Sequence, residues 1–214
     1  MNVDYSHERN TLDVLANIPG QRQQSWIVGI FDRDDAGREY NSVGAMDKTG
    51  KLIPIVYHKR YLVPFGEFTP DWVRETPLGV LMYGFNKKYL ETTPDNKTIV
   101  FKLSDLAVGP MLCFECIMPK LSSGSVKSGA ELLVDCSNTS WFYSSNLSDQ
   151  MIAFCTMRAV ENHRSFVFST GLGPSAIIDS VGRNLRQAPR EKAATITADI
   201  PIENDLTPFT SLSF

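Results

Sequence analysis

Residues 106–137 read LAVGPMLCFECIMPKLSSGSVKSGAELLVDCS, and this stretch decides the class of the fold. Leu106 to Leu112 is an apolar run of strand length, closed by Cys113. Pro119 suits the first turn of a helix, where its missing N–H leaves nothing unpaired, and the helix is expected to run toward Lys127. Leu132 to Ser137 is apolar again and reads as a second strand. Strand, helix and strand in immediate succession predict an α/β or α+β domain.

The flanks extend the same pattern. Upstream, Trp26 to Phe31 reads as a buried strand, Tyr40 to Met46 as a second and Leu52 to His58 as a third. Turn chemistry separates them at Asp32 to Gly37 and at Asp47 to Gly50, so the three predict a β-meander. Thr11 to Ile18 is expected to be the end of a helix, closed by Pro19-Gly20. Pro64 to Asn96 is aromatic, holds four prolines and predicts a long irregular excursion, a feature often tied to function. Thr98 to Leu103 reads as a strand leading into Leu106. Downstream, Ser148 is placed to cap a helix through Asn162, with Met151, Ile152, Cys155 and Ala159 on its buried stripe. Ser165 to Ser169, Ser175 to Asp179 and Ala194 to Ile200 are expected strands, with a turn at Ser180 to Arg183. No repeat or linker divides the chain, so residues 1–214 are read as one domain.

Composition narrows the function. The chain is 43% hydrophobic and 21% charged, with a formal net charge of −3 and no basic block, which argues against nucleic acid as a partner. No apolar stretch approaches the roughly 18 residues of a membrane span, and polar Met1 to Asn10 is unlike a signal peptide. Four cysteines do not make a disulfide framework, so a reduced or reactive thiol is expected.

Cys113 is the first candidate for chemistry. At a strand-to-helix junction, backbone N–H groups and the helix dipole favour a thiolate, and the same N–H groups can hold an oxyanion. A lone cysteine there is more often a small buried hydrophobe. Cys113-Phe114-Glu115-Cys116 also has the spacing of a redox pair or half a zinc site, but Cys136, Cys155, His7, His58 and His163 offer no second close pair, so no metal is expected. Lys59 stands among Tyr57, His58 and Tyr61, before a rigid Pro64-Phe65-Gly66, where an ammonium could stabilise an oxyanion. Glu67 and Glu115 are carboxylates in apolar settings. Trp141-Phe142 could line a pocket at a strand end, and Arg158 with Glu161 has the spacing of a simple helix ion pair.

These motifs together resemble a known family. Tyr57-His58-Lys59-Arg60-Tyr61-Leu62-Val63-Pro64-Phe65-Gly66-Glu67-Phe68 resembles the lysine motif of apolipoprotein N-acyltransferases, within the carbon–nitrogen hydrolase (nitrilase) superfamily. Leu112-Cys113-Phe114-Glu115 is similar to the family's nucleophile motif, and Ser137-Asn138-Thr139-Ser140-Trp141-Phe142 to its Asn-Asp-x-Trp-Phe segment. Tyr40-Asn41-Ser42, Gln150 and Met157-Arg158-Ala159-Val160-Glu161-Asn162 follow the pattern in the same order. The resemblance implies a four-layer α-β-β-α sandwich. It also implies a Glu–Lys–Cys enzyme that takes an acyl chain from a phospholipid as a Cys thioester and passes it to the amine of a lipoprotein. By position Cys113 is the nucleophile and Lys59 the oxyanion stabiliser. Glu67, Glu115, Phe114 and Trp141 are supporting residues. No cofactor is implied. The implied setting is the periplasmic face of the bacterial inner membrane.

Several positions depart from the family pattern. No Pro-Glu step precedes Lys59, Glu8 lies in an unmatched Ser-His-Glu-Arg context, Met151 replaces a frequent histidine, and Ser169 to Gly173 differs from a Thr-Asn-x-Gly step. The expectation is a domain partial at its N-terminus, lacking the first strand and helix and the catalytic glutamate. Such a chain would turn over little substrate without an upstream membrane segment or companion chain. A stand-alone nitrilase or amidase, and a catalytically dead binding domain, are the alternatives.

Overall fold

Asp34 makes the first hairpin. Its carboxylate accepts the N–H groups of Ala36 and Arg38, at 3.0 and 2.9 Å, and Gly37 supplies the positive φ of the turn. Strands β1 (Trp26–Arg33) and β2 (Glu39–Met46) therefore run antiparallel, and β3 (Tyr57–His58) adds to β2 to complete a three-stranded sheet. The computed structural model describes residues 23–74, 76–77, 92–139 and 145–213. A short helix, α1 (Asp71–Arg74), follows β3.

A six-stranded sheet comes next, in spatial order β4 (Phe101–Leu103), β5 (Leu106–Leu112), β6 (Leu132–Ser137), β7 (Ser165–Thr170), β8 (Ala176–Ile178) and β9 (Asn184–Gln187). Its centre is parallel: β5 pairs with β6 and β6 with β7, while the outer strands pair antiparallel. The parallel pairs need crossovers. Helix α2 (Pro119–Lys127) connects β5 to β6, and α3 (Leu147–Asn162) lies between β6 and β7. Helix α4 (Pro208–Leu212) is capped by Thr207, whose hydroxyl accepts the Thr210 N–H. Pro110 sits inside β5, and β4 pairs with β5 only from Leu106 to Val108.

Two apolar layers result. Val43, Ala45 and Tyr57 of the small sheet pack against Phe101, Val108, Leu112 and Val134 of the large one. On its other face the large sheet meets α2 and α3 through Met111, Leu133, Phe166, Leu121, Met151, Cys155 and Ala159. Among the described residues the layers thus run sheet, sheet, helices, in keeping with the expected sandwich. Gly109 sets the depth of the second interface: a Cβ there would lie 2.8 Å from Ser125 Cβ and 3.0 Å from Ala130 Cβ. Gly109→Ala is expected to destabilise the chain by roughly 1–3 kcal/mol through overpacking. A urea melt indistinguishable from that of the unaltered chain would show that α2 moves away freely.

The expected helix from Pro119 to Lys127, the strands Leu106 to Leu112 and Leu132 to Ser137, and the buried stripe of α3 stand as read. Other expectations need correction. No residue of β1 is fully buried, because it is an edge strand with one face open. Leu52 to His58 is mostly irregular: Pro54 interrupts it, leaving one bridge at Leu52 and two strand residues at Tyr57–His58. The strand from Thr98 contracts to Phe101–Leu103. Ala194 to Ile200 forms no strand, and β9 occupies the sheet edge instead. Helix α3 begins one residue before Ser148, with Asn146 at its cap. The readings of Met1 to Asn10, of Thr11 to Ile18 with Pro19-Gly20, and of Trp141-Phe142 lie outside the described residues, as do residues 75 and 78–91 of the expected irregular excursion. Among the described residues no helix is long and apolar enough to cross a membrane.

Candidate active site

The site forms where β5 ends. Cys113 opens a 3-10 turn (Cys113–Ile117) with φ +56°, a left-handed conformation unusual for a residue with a Cβ. Its backbone N–H leaves the sheet ladder and donates to Asp135 Oδ1 on β6, at 3.0 Å. The Phe114 backbone N–H favours the ionised Cys113 sulfur, and Phe114 itself is 39% exposed. At the far end of the turn the Arg158 guanidinium donates to the Ile117 carbonyl at 2.9 Å. Arg158 also makes the expected i,i+3 pair with Glu161, at 2.6–2.7 Å.

Glu115 holds this turn against the segment that follows β3. Its side chain is fully buried and accepts four hydrogen bonds. They come from the Tyr57 hydroxyl at 2.7 Å and from the backbone N–H groups of Arg60, Tyr61 and Leu112 at 2.7, 3.0 and 2.9 Å. Burial nonetheless pushes its carboxyl above the usual range. Three of the four donors lie more than fifty positions upstream, so Glu115 fixes the Lys59 segment relative to Cys113.

Lys59 is 1% exposed, far from the solvated charge that a lysine after a strand usually is. Its ammonium donates to both oxygens of Glu67, at 2.9 and 2.7 Å. Glu67 also accepts from Asn41 Nδ2 at 3.0 Å and from the Val63 N–H at 2.8 Å. The Lys59 charge acts on the Cys113 thiol and pulls its pKa down. Burial acts the other way and is the larger effect, raising that pKa to about 11, with Asp135 and Glu67 adding to the rise. This corrects the expectation of a lowered thiol pKa. The turn is a short 3-10 segment with α2 starting only at Pro119, so the helix dipole is weak at Cys113.

The expected site residues Cys113, Lys59, Glu67, Glu115 and Phe114 thus come together, whereas Trp141 lies outside the described residues. The C-x-x-C spacing does not bring its two thiols into one site, because Cys116 is fully buried in the core, where it meets Cys155. Among the described residues the cysteines join no potential metal cluster; His163, Glu203 and Asp205 form one such group at the end of α3. Sequence reading passes over Asp135, Tyr57 and Asn41 as site residues. An aspartate inside the apolar run Leu132 to Cys136 is the available signal for the first. Chemically, the arrangement offers a thiol, a buried ammonium whose charge acts on it and a neighbouring backbone N–H, the kinds of group that thioester formation through an oxyanion uses.

The carbon–nitrogen hydrolase family profile matches residues 5–204. A relative from Photobacterium profundum, named apolipoprotein N-acyltransferase, is 29% identical over 217 residues, which cover 97% of this chain and 41% of the relative. One of the same name from Aquifex aeolicus is 31% identical over 167 residues, covering 75% of this chain and 34% of the relative. The chain therefore spans about two fifths or less of the curated relatives it matches. Among solved structures, a carbon–nitrogen hydrolase from Helicobacter pylori superposes with a TM-score of 0.69 at 17% identity, covering 88% of this chain and 66% of that one. An amidase from Nesterenkonia sp. superposes with a TM-score of 0.66 at 14% identity, covering 89% and 66%. At these identities the structural likeness shows the fold alone.

Proposed function

Because this chain belongs to the carbon–nitrogen hydrolase family, an enzyme superfamily, we propose that it is the thiol-bearing domain of an apolipoprotein N-acyltransferase, carrying an acyl group on Cys113 between a phospholipid and the N-terminal amine of a lipoprotein. The observation that carries this reading is the Lys59 ammonium, buried and clamped by Glu67, acting on a thiol held in a left-handed turn.

In the first step the Cys113 thiolate attacks the ester carbonyl of the phospholipid. The C–S bond forms as the carbonyl oxygen becomes an oxyanion, which Lys59 and the Phe114 N–H stabilise. Collapse breaks the acyl C–O bond, and the lysophospholipid oxygen leaves with a proton. In the second step the lipoprotein amine attacks the thioester. The C–N bond forms, the C–S bond breaks, and the amine's proton restores the thiol. The thiol proton of the first step passes to a general base. Glu67 and Glu115 are taken up by Lys59, Asn41, Tyr57 and backbone N–H groups, and are assigned supporting roles. Exposed Tyr61, Phe65 and Trp72 on the Lys59 side, with Phe114 beside the thiol, suit an apolar acyl chain and a site of action at a membrane surface.

Incubation with dipalmitoyl phosphatidylethanolamine in detergent micelles, followed by peptide mass spectrometry, tests the reading. At most one palmitoyl group per chain is expected, formed slowly, located on Cys113, released by hydroxylamine and absent from Cys113→Ala. No adduct, together with ammonia release from small amides, would replace acyl transfer with C–N bond hydrolysis.

A further inference from the structure

An aspartate is out of place at the centre of a parallel sheet. Asp135 lies on β6 between Met111 of β5 and Phe168 of β7, and it is fully buried. Its Oδ1 accepts both the Cys113 N–H, at 3.0 Å, and the Ser137 hydroxyl, at 2.6 Å. Its Oδ2 is buried with no hydrogen-bond partner. Packing alone does not call for such a group, since a buried acceptor is ordinarily satisfied. Cys113 in turn needs an acceptor for its N–H, because the left-handed turn has taken that donor out of the ladder.

We propose that Asp135 is a positioning residue for Cys113: Oδ1 fixes the turn that presents the thiol, and the carboxylate charge opposes the thiolate, so that neutralising Asp135 activates Cys113. The proposal rests on reading Cys113 as the nucleophile. The charged and titratable groups acting here come from every neighbouring element. Glu115 belongs to the same turn as Cys113, and Lys59, with Glu67 beside it, to the segment after β3. Tyr57 comes from β3, Cys136 from the strand of Asp135 itself, and Cys155 from α3. Lys59 is the cation among them. Burial, helped by the Glu115 charge, moves the Asp135 carboxyl up to about 7, although the Ser137 hydroxyl, the Cys113 N–H and Lys59 pull it down. Below that pH Asp135 carries a proton and leaves the thiol easier to ionise. Above it, the Asp135 charge adds to the rise in the thiol's pKa.

Iodoacetamide alkylation of Cys113 across pH 6 to 11, read on the Cys113 peptide by mass spectrometry with Cys113→Ala as the blank, tests this without any lipid. Asp135→Asn keeps an oxygen for the Cys113 N–H and removes the charge. Its alkylation curve is expected about one pH unit lower. That raises the thiolate fraction about tenfold and lowers the nucleophilicity of each thiolate roughly threefold, for a gain of about threefold at pH 8. Ser137→Ala, which removes a donor favouring the charged form of Asp135, is expected to raise the rate only around the pH where Asp135 titrates, and by less. A lower melting temperature with an unmoved pH curve in Asp135→Asn would make Asp135 merely structural and overturn the proposal. Should that variant not fold, a rate unchanged between pH 7 and 8 in Ser137→Ala overturns it instead. If the curves move but Cys113 takes no acyl group from phospholipid, the acyltransferase reading fails and this one stands.

Discussion

Lys59→Met is expected to slow acylation of Cys113 by about 10²–10³-fold, the usual consequence of removing one oxyanion-stabilising group. Methionine keeps the buried stem and deletes the charge. Two effects follow from the geometry. The oxyanion loses its ammonium, leaving the Phe114 N–H, and the thiol loses the one charge that offsets its burial. Glu67 is meanwhile left without the partner that holds both its oxygens. Its side chain is 18% exposed, so water recovers part of that loss, and a stability cost of about 2–4 kcal/mol is expected. Acylation with an activated thioester, measured beside a urea melt, separates the two. Acylation at the original rate in a folded Lys59→Met protein would remove Lys59 from the chemistry.

Glu115→Ala is expected to have the largest effect on stability. Four donors converge on a fully buried carboxyl, and alanine leaves all four without an acceptor. At about 1–3 kcal/mol per unsatisfied buried donor, with partial relaxation, the loss is on the order of 5 kcal/mol. That is comparable to the whole stability of many domains. Glu115→Gln should cost distinctly less, because its carbonyl oxygen still serves the Arg60 and Tyr61 N–H groups and the tyrosine hydroxyl can turn to accept from the amide. Chemical denaturation of the two variants decides the matter: equal losses would mean that hydrogen bonding to Glu115 is not what joins the turn to the Lys59 segment.

Local signals account for what is legible in the sequence. Pro119 marks a helix start through its own geometry, and the apolar runs at Leu106 and Leu132 are too continuous for anything but buried structure. Thr207-Pro208 carries the same kind of signal at the start of α4, which the sequence reading leaves out. Ala194 to Ile200 alternates as a strand should, yet alternation says nothing about whether a neighbouring strand is within reach. The candidate site divides the same way. The identity of Cys113, Lys59, Glu67 and Glu115 can be read from motifs, whereas the thiol's ionisation depends on burial, which no spacing reports. Asp135 escapes a sequence reading because its partner, the N–H of Cys113, is a backbone group 22 positions away, exposed to it only by a left-handed turn.

Pro110 has a bearing on self-association. Among the described residues β5 loses its β4 neighbour after Val108, yet its last four residues are buried and the Leu112 N–H is taken by Glu115. Open edges invite a strand from another molecule, and the invitation depends on rows of available N–H groups. Proline has none to give, and within sheets it is confined to the side that faces no partner. The strand that leads to Cys113 therefore ends in a border with no free N–H row, because Pro110 has none to give and Leu112 has given its own to Glu115.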